Sequence, residues 1–130
     1  MTLRALIPPA FRASAERLGM SAGIVAAPFV FLSGATGSDA EGRMPVDPET
    51  QFRAAFDKIA LTLAEAGLGP EAIVEMTSYH IGLRDHFERF DKVRRSICHE
   101  PWPAWAAVEV AGLRRQGALV EIRVVARAAA

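Results

Sequence analysis

The clearest hydrophobic period in the chain predicts a helix between Asp47 and Gly67. Apolar side chains recur here every three or four residues and form one stripe, made of Phe52, Ala55, Phe56, Ile59 and Leu63. The Asp47 carboxylate suits a helix cap, and Pro48 suits the first helical position because its backbone angle is already helical. Gly67 supplies the left-handed conformation at which helices commonly end. We therefore predict an amphipathic helix that lays its apolar stripe on a sheet.

A second helical period follows Asp85, with apolar residues at Phe87, Phe90, Val93 and Ile97. Asp85 and Glu88 have the spacing of a capping box, in which two side chains satisfy free backbone N–H groups at a helix start. Pro101 and Pro103 prevent the helix from continuing. The pattern predicts a helix over residues 86–98.

Short apolar or alternating segments predict the strands of an α+β fold. These strands lie within 24–32, where two short strands flank a turn, and within 73–83, 104–110 and 118–126. The element order is β-β-α-β-α-β-β, so the two helices can cover only one face of a mixed sheet. We expect a single domain over residues 1–130, in which residues 1–19 form a loosely structured lead-in with one helical turn.

The face of the sheet away from the helices needs a cover of its own. Trp105, Ala107 and Glu109 alternate onto one side of their strand, and Glu121 and Arg123 share one side of the last strand. We place Trp105 on the uncovered face, where an exposed indole would leave a large apolar area in water. A second copy of the chain is the expected cover, so the pattern predicts self-association.

Composition and charge narrow the range of partners. The 130 residues are 51% apolar and 23% charged, which is typical of a globular protein. Fifteen basic and fifteen acidic residues leave no net charge, and this balance disfavours a nucleic-acid partner bound through its phosphates. No apolar run is long enough for a signal peptide or a membrane span, so we expect no membrane partner.

The cysteine and the histidines indicate neither a disulfide nor a metal site. Cys98 is the only cysteine, so no disulfide within the chain is possible and a cytoplasmic location is expected. No spacing among His80, His86 and His99 is typical of metal ligands, and no cofactor fingerprint is present. We interpret His80 as a hydrogen-bonded structural residue, and His86 and His99 as surface or capping groups.

Three segments together resemble the RidA/YjgF family of reactive-intermediate deaminases, which is also labelled endoribonuclease L-PSP. They are FVFLSGATG, the helix start Asp47-Pro48-Glu49, and the closing PAWAAVEVAGLRRQGALVEIRVVA. The resemblance covers nearly the whole chain from about residue 20. It implies a chorismate-mutase-like fold, a homotrimer around a central barrel, and small-molecule clefts between the subunits.

The resemblance also implies where a ligand binds. In relatives that act on imines and enamines, a glutamate of the last strand helps to place the attacking water, and Glu121 falls at that position. Gly34 falls where a backbone amide meets the ligand, and Met20 stands near a position where deaminating relatives carry a tyrosine. Trp105 and Ala107 complete the expected substrate-binding positions on the preceding strand.

One position departs from the family pattern. Active relatives grip the substrate carboxylate with the arginine of a P-x-R-S/T motif, but the matching segment here reads Pro103-Ala104-Trp105-Ala106. An indole offers neither a positive charge nor a forked donor, so we expect imines derived from amino acids to bind poorly. The tryptophan marks a separate branch of the superfamily. Arg123, on the same side as Glu121, is a candidate replacement cation, although a paired or solvated arginine is the commoner role.

Two functions stay open at this level. The chain is either a hydrolase of enamines or imines, with Glu121 as general base and Trp105 as an aromatic wall, or a non-catalytic trimer that senses a metabolite or binds a protein. In the second case Glu121 forms an intersubunit ion pair with Arg123 or Arg127, and Trp105 only packs at the interface. RNA cleavage is the least supported function because the chain carries no net charge.

Overall fold

A six-stranded sheet organises the structure, a computed structural model that describes residues 2–128. The elements are β1 (Arg4–Leu6), α1 (Arg12–Leu18), β2 (Gly23–Ala26), β3 (Phe29–Leu32), α2 (Pro48–Ala64), β4 (Ile73–His80), α3 (Leu83–Ile97), β5 (Ala104–Glu109) and β6 (Val120–Arg127). The strand order is β1-β2-β3-β6-β4-β5. β4 and β5 run parallel and the other adjacent pairs run antiparallel, so the predicted mixed sheet is confirmed.

The core lies between α2, α3 and one face of the sheet. The predicted stripe of α2 is buried, since each of its five apolar residues is at most 2% exposed. Val120, Ile122, Val124 and Ala126 of β6 are buried on the face below it. Phe90 of α3 joins the two helices, because its ring contacts Phe52 edge-on at 5.3 Å and stacks on Phe56 at 5.8 Å between ring centroids. The fold class predicted from the sequence is therefore confirmed.

The N-terminal segment contains the predicted helical turn, as α1, but also β1, so the expectation that the rest of this segment is loosely structured is wrong. β1 pairs with β2 at the edge of the sheet, and its Leu6 side chain is 2% exposed. The Arg4 guanidinium also donates a hydrogen bond to the Glu65 carbonyl just after α2. A strand of three residues shows no readable period, and its partners lie far along the chain, which is why the sequence pattern missed it.

α3 begins at Leu83, three residues before the predicted start, and its cap comes from another strand. The Glu109 carboxylate of β5 accepts hydrogen bonds from the backbone N–H groups of Gly82 and Leu83, at 3.0 and 2.7 Å. These two N–H groups lower the pKa of the Glu109 carboxyl. The Asp85 side chain makes no capping bond, so the predicted capping box is wrong. A cap supplied from a distant strand leaves no local signal.

Trp105 lies on the helix-covered face, and its predicted placement on the uncovered face is wrong. It pairs in register with Met76 of β4, whose side chain is buried beneath the helices. Its indole stacks parallel to the Phe87 ring of α3, with ring centroids 5.7 Å apart. Glu109 shares this side because it caps α3. The side of the sheet predicted for Trp105, Ala107 and Glu109 is therefore inverted.

The face away from α2 and α3 exposes apolar side chains. Phe29 and Phe31 of β3 are 36% and 39% exposed, and Val108 of β5 is 38% exposed. The Arg127 guanidinium covers one of these rings at 5.6 Å from the Phe29 centroid. Aromatic surface of this kind is typical of a face that meets another protein surface.

Candidate functional site

A cavity of about 350 Å³ lies where α1, α2 and the loop after β3 approach the start of β6. Three of the residues predicted to form a site line it, namely Glu121, Gly34 and Met20. α1 forms one wall of the cavity through residues such as Ser14 and Leu18. The N-terminal segment that we expected to be loose is therefore part of the site.

Gly34 allows the Glu121 carboxylate to lie directly against the backbone of the loop. A Cβ atom at Gly34 would lie 2.2 Å from Glu121 Oε2 and 2.7 Å from its carboxyl carbon. The approach is fixed by the neighbouring residues, because Ala35 and Ile122 exchange two backbone hydrogen bonds of 2.8 and 2.9 Å. Gly34 has no positive φ, so the carboxylate rather than the backbone conformation requires glycine here.

The cavity presents hydrogen-bonding groups that the described residues leave available. The Glu121 side chain forms no hydrogen bond or ion pair among residues 2–128, and neither does the Gly34 N–H. A carboxylate acceptor and an amide donor without partners in this range therefore both belong to the cavity lining. This pair can hold a water molecule or a polar ligand atom.

Sequence reasoning missed the basic residues that line the same cavity. They are Lys58 of α2 and the pair Arg114 and Arg115 from the turn before β6. The Lys58 ammonium donates to the Ser38 hydroxyl at 2.8 Å, and burial, followed by the nearby Arg115 charge, lowers its pKa to about 8. In the helical pattern Lys58 is an ordinary polar residue beside the apolar stripe. Only the position of the neighbouring loop shows that it lines the cavity.

The remaining predicted positions do not line this cavity. Trp105 and Ala107 lie on the helix-covered face, whereas Glu121 alternates with buried residues of β6 and points to the other side. Arg123 shares the side of Glu121 but is exposed and outside the cavity lining. Ligand contacts of these three residues stay a prediction about the assembled protein. Within one chain, Trp105 and Glu121 belong to separate regions.

The half-buried Trp105 belongs to a hydrogen-bonded cluster, which we call the indole–histidine cluster. Its other members, Ser78, His80 and His86, are buried. The indole N–H donates to the Ser78 hydroxyl at 2.9 Å, and His80 contacts Ser78 at 2.8 Å and His86 at 3.2 Å. The prediction that His80 is a hydrogen-bonded structural residue is confirmed. His86 is only 4% exposed, so its predicted surface or capping role is wrong.

Charge and burial hold the indole–histidine cluster in its neutral form. Burial, followed by the proximity of His86, lowers the pKa of His80 to about 4. The Arg94 guanidinium lies 4.2 Å from the centre of the Trp105 ring and is paired with Asp91 at 2.6 Å. With Phe87 beside the ring as well, the indole is packed within its own chain.

Groups of three or more metal-ligating side chains do not occur within residues 2–128. In the same range, no helix has the length and hydropathy of a membrane span. Cys98, which lies just after α3, is buried, and burial raises the pKa of its thiol. A raised pKa keeps the sulfur in its unreactive protonated form at neutral pH.

Comparisons with known proteins agree on one family. The family model described as Endoribonuclease L-PSP matches residues 13–128. RutC family protein YjgH of Escherichia coli (strain K12) is 38% identical over 108 residues, which are 82% of this chain and 81% of that protein. The solved structure of Protein YJGH superposes with a TM-score of 0.91 at 33% identity, over 100% of this chain and 99% of that one.

A second solved structure extends the likeness to a protein named RidA. RidA from the Antarctic bacterium Psychrobacter sp. PAMC 21119 has a TM-score of 0.77 at 28% identity, over 82% of this chain and 86% of that one. The family model covers most of the chain, including α1, the cavity loop and β6. The predicted resemblance is therefore confirmed, and the chain belongs to the endoribonuclease L-PSP family, in which the RidA and YjgF proteins are grouped.

Proposed function

We propose that this protein binds a small metabolite in the cavity beside Glu121 and hydrolyses an imine, an enamine or a related small molecule there. The observation that carries the proposal is the Glu121 carboxylate, which has no partner among residues 2–128 and lies against Gly34 in a cavity of about 350 Å³. A cavity of this volume is at the small end of the range for ligand sites. Met20 at its rim supplies an apolar contact.

The reaction we propose is the addition of water to an imine carbon. Glu121 accepts a proton from the water as its oxygen bonds to that carbon, and the Gly34 N–H stabilises the polar ligand atom beside it. Glu121 then returns the proton to the nitrogen, which gives a carbinolamine with one hydroxyl and one amino group. Glu121 next takes the proton of that hydroxyl and passes it to the amino nitrogen, so that the C–N bond breaks and ammonia leaves as the carbonyl forms. One water is consumed for each ammonia released, and no cofactor is needed.

We further propose that the working form is a homotrimer whose uncovered sheet faces meet around a central barrel. The exposed rings of Phe29 and Phe31 support this, because a second copy would remove them from water. Sedimentation should then return three times the chain mass of 14.0 kDa. A stable monomer would contradict the assembly and leave the cavity to be tested in one chain.

We place the protein in the cytoplasm, where its single cysteine would remain reduced.

The position of Trp105 supports weak activity, or none, on imines derived from amino acids. The indole has no charge, and its N–H is already bound to Ser78. A substrate carboxylate that lost its cation at this position would forfeit roughly 3–5 kcal/mol. Trp105→Arg tests this deficit, but Arg94 would repel the new guanidinium, so the variant should be combined with Arg94→Gln. Relative to wild type, the double variant is expected to turn over amino-acid imines faster, with a smaller change for neutral imines.

The test of catalysis is Glu121→Gln, which keeps the size of the side chain and removes its basicity. Ammonia release from a neutral alkyl imine should fall by roughly 10²–10⁴-fold, because a general base typically contributes that factor. Ligand affinity should change little. Glu75→Gln, which changes an exposed carboxylate of β4 outside the cavity lining, is the matched control. Undiminished turnover in Glu121→Gln would reject the catalytic role and favour a non-catalytic, metabolite-sensing or protein-binding trimer.

A further inference from the structure

The cavity carries more positive than negative charge. Lys58, Arg114 and Arg115 line it, whereas Glu121 is the one acidic residue in its described lining. The Arg115 guanidinium is held in place by a hydrogen bond to the Gly42 carbonyl. Since the chain as a whole has no net charge, this concentration of cations is a local property of the cavity.

Lys58 is partly desolvated without a carboxylate partner. Its ammonium donates to Ser38, a neutral hydroxyl that is itself only 5% exposed. None of the five ion pairs among the described residues includes Lys58. Burial and the Arg115 charge lower the pKa of Lys58, and Asp39 offsets this only in part. An anion bound near Lys58 and Arg115 would compensate both for the burial of the ammonium and for its repulsion by Arg115.

The basic residues and Glu121 share the cavity without pairing. No side-chain nitrogen of Lys58, Arg114 or Arg115 lies within 4.0 Å of a Glu121 carboxylate oxygen. Opposite charges at such a site usually close on each other unless the backbone holds them apart. The cavity is therefore lined by basic side chains from α2 and the turn before β6, and by a carboxylate of β6 that no described ion pair neutralises.

We propose that Lys58 and Arg115 bind a carboxylate group of the ligand, while Glu121 and the Gly34 N–H meet its carbonyl or imine group. The inference rests on the proposed function and names the ligand class: small oxo acids, or the corresponding imino acids, whose carboxylate is separated from the reacting carbon. The anion clamp thus lies on α2 and the turn before β6 rather than at Trp105. Ser38 positions the Lys58 ammonium through their hydrogen bond.

The test compares 4-oxopentanoate with its uncharged amide, 4-oxopentanamide, by titration calorimetry at low salt. We expect the wild-type protein to bind the acid at least tenfold more tightly than the amide, as a charge-assisted contact should provide. Lys58→Met should abolish that preference. Lys58→Arg should retain it, and Lys92→Met, at an exposed position of α3, should leave it unchanged.

A spectroscopic readout separates binding from folding. The chain has two lysines, Lys58 and Lys92, so the side-chain NMR signals of labelled lysine are readily distinguished. Binding of 4-oxopentanoate should raise the pKa of Lys58, because a neighbouring anion favours the charged form, and should leave Lys92 unmoved. The backbone spectrum of Lys58→Met shows whether that variant is folded.

The outcomes distinguish this inference from the function on which it rests. If the acid and the amide bind equally and both shift the Gly34 amide signal, the cavity is a ligand site but Lys58 is no clamp. If neither probe shifts Gly34, both the cavity function and the clamp are rejected. A preference for the acid that survives in Lys58→Met would also overturn the proposal.

Discussion

The indole–histidine cluster and the cavity beside Glu121 both contain polar side chains in a largely apolar setting, but their hydrogen bonding differs. In the cluster, Trp105, Ser78, His80 and His86 bond to one another in sequence. Among the described residues, no buried polar side-chain atom lacks a partner. In the cavity, Glu121 has no partner within residues 2–128.

The difference distinguishes polar groups that stabilise the fold from polar groups that are available to bind a ligand. A hydrogen-bonded chain whose buried polar atoms all have partners stabilises the fold and offers those atoms to no substrate. Open groups that the backbone holds in place can bind a molecule without first breaking other contacts. Trp105, which the sequence resemblance aligns with the substrate-binding arginine, is half-buried against the core and hydrogen-bonded within its own chain. Glu121 has the surroundings of a site residue.

The largest effect expected from this comparison is the loss of stability in Ser78→Ala. The change leaves the Trp105 N–H and the His80 ring nitrogen without their shared partner, and each buried unpaired group costs about 1–3 kcal/mol. We expect the free energy of unfolding, measured with urea, to fall by roughly 3 kcal/mol. Ser96→Ala is the matched control, since the exposed Ser96 hydroxyl bonds only to the Val93 carbonyl. Equal effects in the two variants would show that the cluster is not cooperative.

The next effect is a loss of stability in mild acid that originates in His80. Its pKa in the folded protein is about 4, below the ordinary 6.5, so both states are neutral above pH 6.5. As the pH falls below 6.5, the unfolded chain binds a proton that folded His80 does not, and stability decreases until the pH nears 4. Between pH 7.5 and 5 the loss should be about 2 kcal/mol.

NMR titration of the histidine ring signals provides the direct check on that prediction. His80 should stay neutral to about pH 4, and the pKa of His86, which burial also lowers, should lie below the usual range. A His80 ring that titrates near its ordinary pKa would contradict the closed cluster.

The two regions also differ in how far the sequence could predict them. Helix periodicity identified the buried stripe of α2, because one element carries the whole signal. The family resemblance identified Glu121 and Gly34, which the structure brings into contact. The face of Trp105 was predicted wrongly, since it depends on the parallel register with β4 and on Glu109 capping α3. Both facts come from distant pairing, which no local pattern records.

The basic side chains that line the cavity illustrate the same limit. Lys58 has the helical position of an ordinary solvated residue, and nothing nearby in the sequence indicates that the loop carrying Ser38 folds over it. Arg115 lies in a turn, where a basic residue is unremarkable. Their proximity, seen in the effect of Arg115 on the pKa of Lys58, arises only when the β5–β6 turn packs beside α2. Sites of this kind need coordinates to be found.

A smaller effect is expected from Gly34→Ala, which tests the contact that defines the cavity. The new Cβ would overlap the Glu121 carboxyl group, so the side chain must leave its position or the loop must shift. We expect the free energy of unfolding to fall by about 1.5 kcal/mol. The cost should disappear in the background of Glu121→Ala, because the overlapping atoms are then absent. Gly112→Ala is the control, since a Cβ there meets nothing within 4 Å.

The smallest effect, and the one that bears most directly on the comparison, is that of Trp105→Phe. The phenyl ring can keep the stacking on Phe87 but cannot donate to Ser78, so stability should fall by about 1 kcal/mol, the typical net contribution of one hydrogen bond. In a double-mutant cycle with Ser78→Ala the two losses should not add, because the second change removes a bond already broken. Affinity for 4-oxopentanoate should stay within about twofold, or roughly 0.4 kcal/mol, of wild type. A larger loss of affinity would show that the indole of one copy reaches the cavity of another, as in the proposed trimer, and would join the two regions into one site.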